Sequence, residues 1–413
     1  MQLSLAALAS LLTASGLVSA LPLERRGTKM MTSNTRLNAA GAAYFITNEP
    51  GENMIIAASI NSDGTLNLDR AVSTSGRGSH GITDPVGPDA LFSQGAIKAS
   101  AKGQVLATVN SGSNTISLFS IDPKTPTNIQ PLGDPVSSEG EFPMSLAFNS
   151  DGSRLCVLNG GTVNGVNCYT VDKKNGLTAM PNTLRSLGLN QTTPASGPAG
   201  STSHIIFSED GKQLMASVKG VPPNPGMIAV WDVADDGSLS ADFKAVAPPS
   251  GGLLPFSMTV IPGKNAVLST DPGLGFDVFD FSSGNSSSAV KIDGQNATCW
   301  SSFSTKTGNF YLTDIGTAIV TEVNVDDNLK ASIVKQYPQT KGAATIDNDI
   351  ATVNGKDMMY VLAPGTQTVE VLSLDAPGNA KHVQSLSIAG PAKAAGVTTN
   401  TNNLQGMTVF IRQ

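Results

Sequence analysis

The sequence predicts an all-β protein, a seven-bladed β-propeller whose ring is closed by a C-terminal strand completing blade one. Three observations carry that prediction. Apolar runs of strand length alternate with Gly- and Pro-bearing turns. One strand–turn–strand phrase recurs along the chain at intervals of 45 to 59 residues. The two ends of the chain hold complementary parts of one blade.

The phrase is fullest in Ser203 to Asp232, SHIIFSEDGKQLMASVKGVPPNPGMIAVWD. His204 to Phe207 is a short β-rich run, and Glu209-Asp210-Gly211-Lys212 supplies turn chemistry. Leu214 to Val218 and Met227 to Trp231 are two further strands, each too short for a helix. The turn glycines of the repeat are Gly103, Gly152, Gly211, Gly263, Gly308 and Gly355. A period of about 40 to 50 residues with four strands per unit is the signature of propeller blades.

In chain order, blade one offers only Ala42 to Thr47, Met54 to Ile60 and Leu66 to Val72. Its inner strand is supplied by Gln405 to Ile411, which resembles Phe256 to Ile261 of blade five. Such closure removes the free sheet edges that invite pairing with other chains. Blades two to seven run about 94–139, 142–189, 201–248, 253–292, 297–336 and 345–388. The long polar segments Thr74–Leu91 and Gly188–Gly200 are expected to shape one mouth of the ring.

Before the first blade, Met1 to Ala20 is apolar and ends Leu17-Val18-Ser19-Ala20, which fits a signal peptide (1–20). Residues 21–26 read as a pro-peptide ending in the dibasic Arg25-Arg26, leaving 27–413 as one propeller domain. The sequons at Asn190, Asn285 and Asn296 lie in polar inter-strand segments and are the expected glycosylation sites of a secreted chain. No later stretch is long and apolar enough to span a bilayer. The formal charge of -6 and pI near 5.1 leave no basic stripe for nucleic acid. Cys156 and Cys168 fall opposite each other on paired strands of blade three and are expected to form a disulfide; Cys299 is left as a buried thiol.

The repeated Asp-Gly phrase, the Asn159-Gly160-Gly161 hairpin and the dibasic start together resemble the lactonase-type seven-bladed propellers. Within them they resemble the secreted fungal 3-carboxymuconate cyclase-like proteins, over the whole mature chain. The resemblance implies two kinds of member. Some cyclise muconates or hydrolyse sugar lactones with His, Glu and Arg at the ring mouth and no metal; others are surface glycoprotein antigens, some with adhesin roles. It places the catalytic His of the cyclising members at Ser203, one residue before His204. A one-residue slip turns a side chain to the other face, so either a bulge restores His204 to the mouth or the catalytic His has been lost. Equivalent positions in other blades, Gly95, Met144, Phe256 and Cys299, are small or apolar.

Arg77 and His80, with Asp84, share a Gly-rich loop that could hold an anion, against the simpler reading of a solvated polar loop. His204, Ser203, Arg77 and His80 are therefore the candidate catalytic set. No zinc-spaced histidine pair and no Gly-x-Ser-x-Gly elbow is present, and Asp326-Asp327-Asn328 and Asp347-Asn348-Asp349 read as acidic turns. No metal or cofactor is expected. The depleted set of catalytic side chains favours a secreted or wall-associated monomeric glycoprotein that binds a matrix, host or polysaccharide ligand. The alternative is a metal-free extracellular lactonase or muconate cyclase with a small lactone or muconate as substrate.

Overall fold

The computed structural model describes residues 27–31, 39–282 and 287–412; the leader, the pro-segment and Asn285 lie outside them. Seven antiparallel sheets of four or five strands make up the described chain, and a six-residue helix, Ala389–Ala394, precedes the final strand. The ring closes as expected. Gln405–Ile411 pairs with Gly41–Ile46 and becomes the inner strand of blade one, outside which lie Met54–Ile60, Leu66–Ser73 and the short Lys29–Met30.

The inner strands of blades two to seven are Ile97–Ser100, Pro143–Phe148, Thr202–Phe207, Met258–Val260, Thr298–Ser304 and Asn348–Val353. The second strands, such as Val105–Asn110 and Ala266–Asp271, are buried along their whole length because a neighbouring blade covers each face. That is why they read as unbroken small and apolar runs rather than as an alternation. One continuous apolar core joins blades one to four, from Ala42 and Phe410 through Leu106 and Leu155 to Trp231. The seam between blades four and five holds only a small separate cluster around Met215, Ile228, Met258 and Phe279.

The turn glycines sit where the repeat puts them, with Gly152, Gly211, Gly263, Gly308 and Gly355 all at positive φ. Blade two differs: Gln104 takes the left-handed position (φ 53°), while Gly103 packs against Gly152 of the next blade so tightly that a Cβ on Gly152 would lie 2.8 Å from the Gly103 Cα. Asp347-Asn348-Asp349 corrects the sequence reading. It is not an acidic turn but the start of an inner strand, with Asn348 paired to Val361. Asp326-Asp327-Asn328 is a turn, its Asp326 Oδ1 accepting from the Asn328 amide at 2.9 Å. Cys156 and Cys168 face each other in register and are disulfide-bonded, and Cys299 is buried and free.

Buried acidic side chains at the ends of second strands fix the loops that follow. Asp271 accepts from the amides of Leu253, Leu254 and Gly273, and Asp314 from those of Asn296, Gly316 and Thr317. Asp277, beside Asp271 in blade five, has no such partners: it is fully buried, and neither carboxyl oxygen makes a hydrogen bond among the described residues. Burial, then the negative charge of Asp271, pushes its carboxyl from 3.8 up to about 8. Between about pH 4 and pH 8 the folded chain holds a proton that the unfolded chain has released, so this group makes stability fall as pH rises. Asp277→Asn is expected to remove that slope. The stability difference, variant minus parent, should grow by about 4 kcal/mol from pH 5 to pH 8.5 in urea unfolding; parallel curves would refute the assignment.

Candidate functional site: a plugged channel with unpaired polar groups

The connection from blade one to blade two does more than shape a mouth. Its end, Asp89 to Ala96, is buried throughout and runs into the strand-start end of the central channel. From there it binds blades one, three, four and six. The Phe92 carbonyl accepts from Lys219 Nζ at 2.8 Å, and the Ser93 carbonyl from Trp300 Nε1 at 2.9 Å and Gln405 Nε2 at 3.0 Å. Ser93 Oγ donates to the Met144 carbonyl, and Ser145 Oγ to the Gln94 carbonyl. Gln94 pairs with the backbone of Ser301 through both ends of its amide, at 2.9 and 3.0 Å. Asp89 and Phe92 sit at φ 71° and 54°, a left-handed conformation that costs free energy for residues with side chains and is held here by those bonds.

The plug makes the channel one-ended. Every inner strand is buried where it starts, whereas each has half-exposed residues further along, among them Lys98, Phe148, Phe207, Val260, Phe303, Asp349 and Val409. Solvent therefore enters from the opposite face, which carries the Asp-Gly turns.

Lys219 anchors the plug. It is 2% exposed, and Nζ donates to the Phe92 and Thr202 carbonyls at 2.8 and 2.9 Å and to Ser203 Oγ at 2.5 Å, while the cation lies 4.6 Å from the Phe256 ring centre. Burial pulls the lysine down and pushes the neighbouring Asp89 up, and their attraction opposes both shifts. The ammonium form donates to all three acceptors, and the attraction of Asp89 favours it against burial. In that form Lys219 and Ser203 are a strut, since a protonated lysine cannot take the serine proton.

The inner strand of blade four carries the bulge that His204 needs: its register with the second strand shifts between Thr202 and Ile205. Ser203 consequently turns to Lys219, and His204 turns towards blade five, where Nδ1 accepts from the Met258 amide at 3.0 Å. That bond assigns the proton to Nε2, which has no partner among the described residues. Burial first, then the charge of Lys98, holds the imidazole well below its usual range, so it is a neutral N–H donor.

Two further groups share this place. Lys98 makes no hydrogen bond or ion pair among the described residues, yet its charge acts on His204, Asp347 and Asp349. Asp347 accepts at Oδ2 from Gln405 Nε2 and the Gly406 amide, both at 2.9 Å, while its buried Oδ1 makes no hydrogen bond of normal geometry, the Gly95 amide lying close enough only to lower the carboxyl slightly. Burial pushes this carboxyl up to about 7, with Asp89 adding to the effect and Lys98 opposing it. Gly95 lets these groups approach closely: a Cβ there would stand 2.8 Å from Ser145 Oγ, 3.2 Å from Lys98 Cε and 3.3 Å from His204 Cδ2. Beside them Asp349 accepts from the Val409 amide at 3.0 Å, and its carboxyl is raised by burial.

Arg77 and His80 lie elsewhere. Arg77 is exposed on its loop, with its amide held by Ser113 Oγ at 3.1 Å. Both ring nitrogens of His80 meet carbonyls, Gly81 at 2.7 Å and Gly87 at 2.8 Å, so the ring clamps the loop and backs the plug edge-on at Phe92. Asp84 is exposed. Among the described residues no group of three or more His, Cys, Asp or Glu is placed to hold a metal ion, and no helix is long and apolar enough to cross a membrane. Asn190 and Asn296 are exposed.

Residues 34–183 match the family model described as lactonase, 7-bladed beta-propeller. No curated protein matches the chain. Among solved structures it is similar to the periplasmic gluconolactonase PpgL of Pseudomonas aeruginosa, with TM-score 0.61 and 15% identity over 90% of this chain and 99% of that one. A Bacteroides fragilis protein assigned as a 6-phosphogluconolactonase gives TM-score 0.60 and 15% identity over 90% and 98%. AztD of Citrobacter koseri gives 0.55 and 9% over 90% and 98%. At such identities the likeness is one of fold.

Proposed function

We propose that this chain, a seven-bladed propeller of the lactonase type, hydrolyses a small lactone in its one-ended channel. The observation that carries the reading is the meeting of three groups whose polar atoms lack partners, Asp347 Oδ1, His204 Nε2–H and the Lys98 ammonium. Partnerless buried polar atoms are costly in a fold and are commonest where a ligand completes them. A carboxyl near pH 7 is suited to take a proton from water, and a cation with a neutral N–H donor is suited to a developing oxyanion.

In the reaction that follows, Asp347 removes a proton as water attacks the lactone carbonyl carbon. Lys98 and His204 Nε2–H hold the tetrahedral oxyanion. Collapse breaks the ring C–O bond, and Asp347 returns its proton to the leaving alkoxide, giving the hydroxy acid. The family match and the gluconolactonase-like folds support this reading over a non-catalytic adhesin. The apolar leader, the dibasic Arg25-Arg26 and exposed Asn190 and Asn296 support an extracellular location.

The test is turnover of γ- and δ-lactones, δ-gluconolactone included, by purified protein at pH 5 to 8 against the buffer rate. Activity is expected to rise with pH through about 7 as Asp347 ionises. Asp347→Asn is expected to lower kcat/KM by about 100-fold and Lys98→Met by about 10- to 100-fold. Turnover unchanged in Asp347→Asn, or none by the parent on any lactone, would overturn the proposal.

A further inference from the structure

On the face opposite the plug, the weak seam between blades four and five opens into a groove of about 730 Å³. Its floor is Met215, Val260 and Val267, the upper edge of the small cluster that joins the two blades. A hydrogen bond from the Gly263 amide to Glu209 Oε2, at 2.8 Å, ties the two inner turns across one end. At the other end stands the half-exposed ring of Phe281, stacked on Phe279 at 6.4 Å and 14° and fixed by its amide bond to the Asn265 carbonyl at 2.9 Å.

The walls are polar and nearly balanced in charge, with Glu209, Asp210 and Asp232 against Lys212 and Lys264. Lys264 is already paired with Asp327 at 3.7 Å. The side chains of Gln213, Asp232 and Asn265 make no hydrogen bond among the described residues, whereas the Lys212 and Gln213 amides beside them are held by Asp210 and Ser208. A strongly charged ligand would gain little here, and an apolar one would strand the amides and carboxylates. What fits is a chain of hydroxyls, which both donate and accept, attached to rings whose C–H faces can lie on Phe281 and the apolar floor.

We propose that this groove binds a neutral oligosaccharide, independently of any chemistry in the channel. The groove lies between blades and contains none of Asp347, His204 and Lys98, so the two sites can be occupied together.

The probes are malto-, cello-, laminari-, chito- and mannohexaose, titrated by calorimetry and by saturation-transfer NMR up to about 10 mM. At least one is expected to bind saturably. Phe281→Ala should weaken it tenfold or more, Gln213→Ala severalfold, and Asp347→Asn not at all. Phe281→Leu, which keeps the apolar volume but not the flat face, should weaken binding with an unchanged melting temperature, separating loss of the platform from loss of fold. No saturable binding by any hexaose would overturn the proposal, as would binding indifferent to Phe281→Leu. Absence of lactone turnover would leave this prediction where it stands, because the readout is binding at a different place.

Discussion

Lys219→Met is expected to destabilise the protein by about 4 kcal/mol, the usual result of removing one member of a buried charge pair. Methionine restores most of the volume and the contact with Phe256, so the loss reports charge and hydrogen bonding more than a cavity. Three acceptors, the Phe92 and Thr202 carbonyls and Ser203 Oγ, lose their donor at once, and the Asp89 carboxylate loses its counter-charge. For a chain of this size the melting temperature should fall by about 5 °C. Adding Asp89→Asn should recover part of the loss, because it removes the charge that Lys219→Met leaves unpaired. Arg77→Ala, on an exposed guanidinium, is the control and should change stability by less than about 0.5 kcal/mol. If both lysine and arginine variants melt like the parent, Lys219 is not the anchor of the plug.

Removing the disulfide should cost nearly as much. Cys156 and Cys168 enclose a 12-residue separation, for which the chain-entropy model gives about 3 kcal/mol. Both side chains are fully buried in the core shared by blades one to four. Reduced thiols remain acceptable there as small apolar groups. Reduction without substitution is therefore expected to cost the entropic part alone, and Cys156→Ser with Cys168→Ser to cost more, by burying two hydroxyls among apolar neighbours. Unfolding in guanidinium with and without reductant checks the first, and the double variant checks the second. Equal midpoints for oxidised and reduced protein would show that the hairpin needs no cross-link.

The ring could be read from the sequence because a propeller repeats its local rules: blades two to seven each write their own turn glycine, and every blade its own buried second strand. Closure by Gln405 to Ile411 was legible for the same reason, as an inner strand without a blade. The site was less legible, because it is built where the repeat is broken. His204 required a bulge, and a bulge leaves no mark in one sequence beyond a residue out of step. Lys98 sits between Ile97 and Ala99 in an ordinary inner strand, and nothing local says that its neighbours across the ring are Asp347 and His204. Asp347 and Asp349 were misread as turn residues because Asp-Asn-Asp is turn chemistry wherever packing does not override it. One usable signal was present: Asn110-Ser-Gly112, Asp271-Pro-Gly273 and Asp314-Ile-Gly316 repeat an acid or amide two residues before glycine. That repeat marks the strand-end caps and would have separated structural acids from Asp347.

The pairing of Gly41–Ile46 with Gln405–Ile411 joins segments more than 350 residues apart. During synthesis the first blade must wait for the last strand, holding an unmatched edge while six others are assembled. Contacts of such long sequence separation are slow to form. The same seam is the lock of the finished ring, since no blade can peel away from both neighbours while it holds. Shortening the chain before Gln405 would therefore do more than remove one strand: it would turn a closed object into an open one, with two edges free to pair with other molecules. Aggregation, more than simple unfolding, is the fate such a truncation courts.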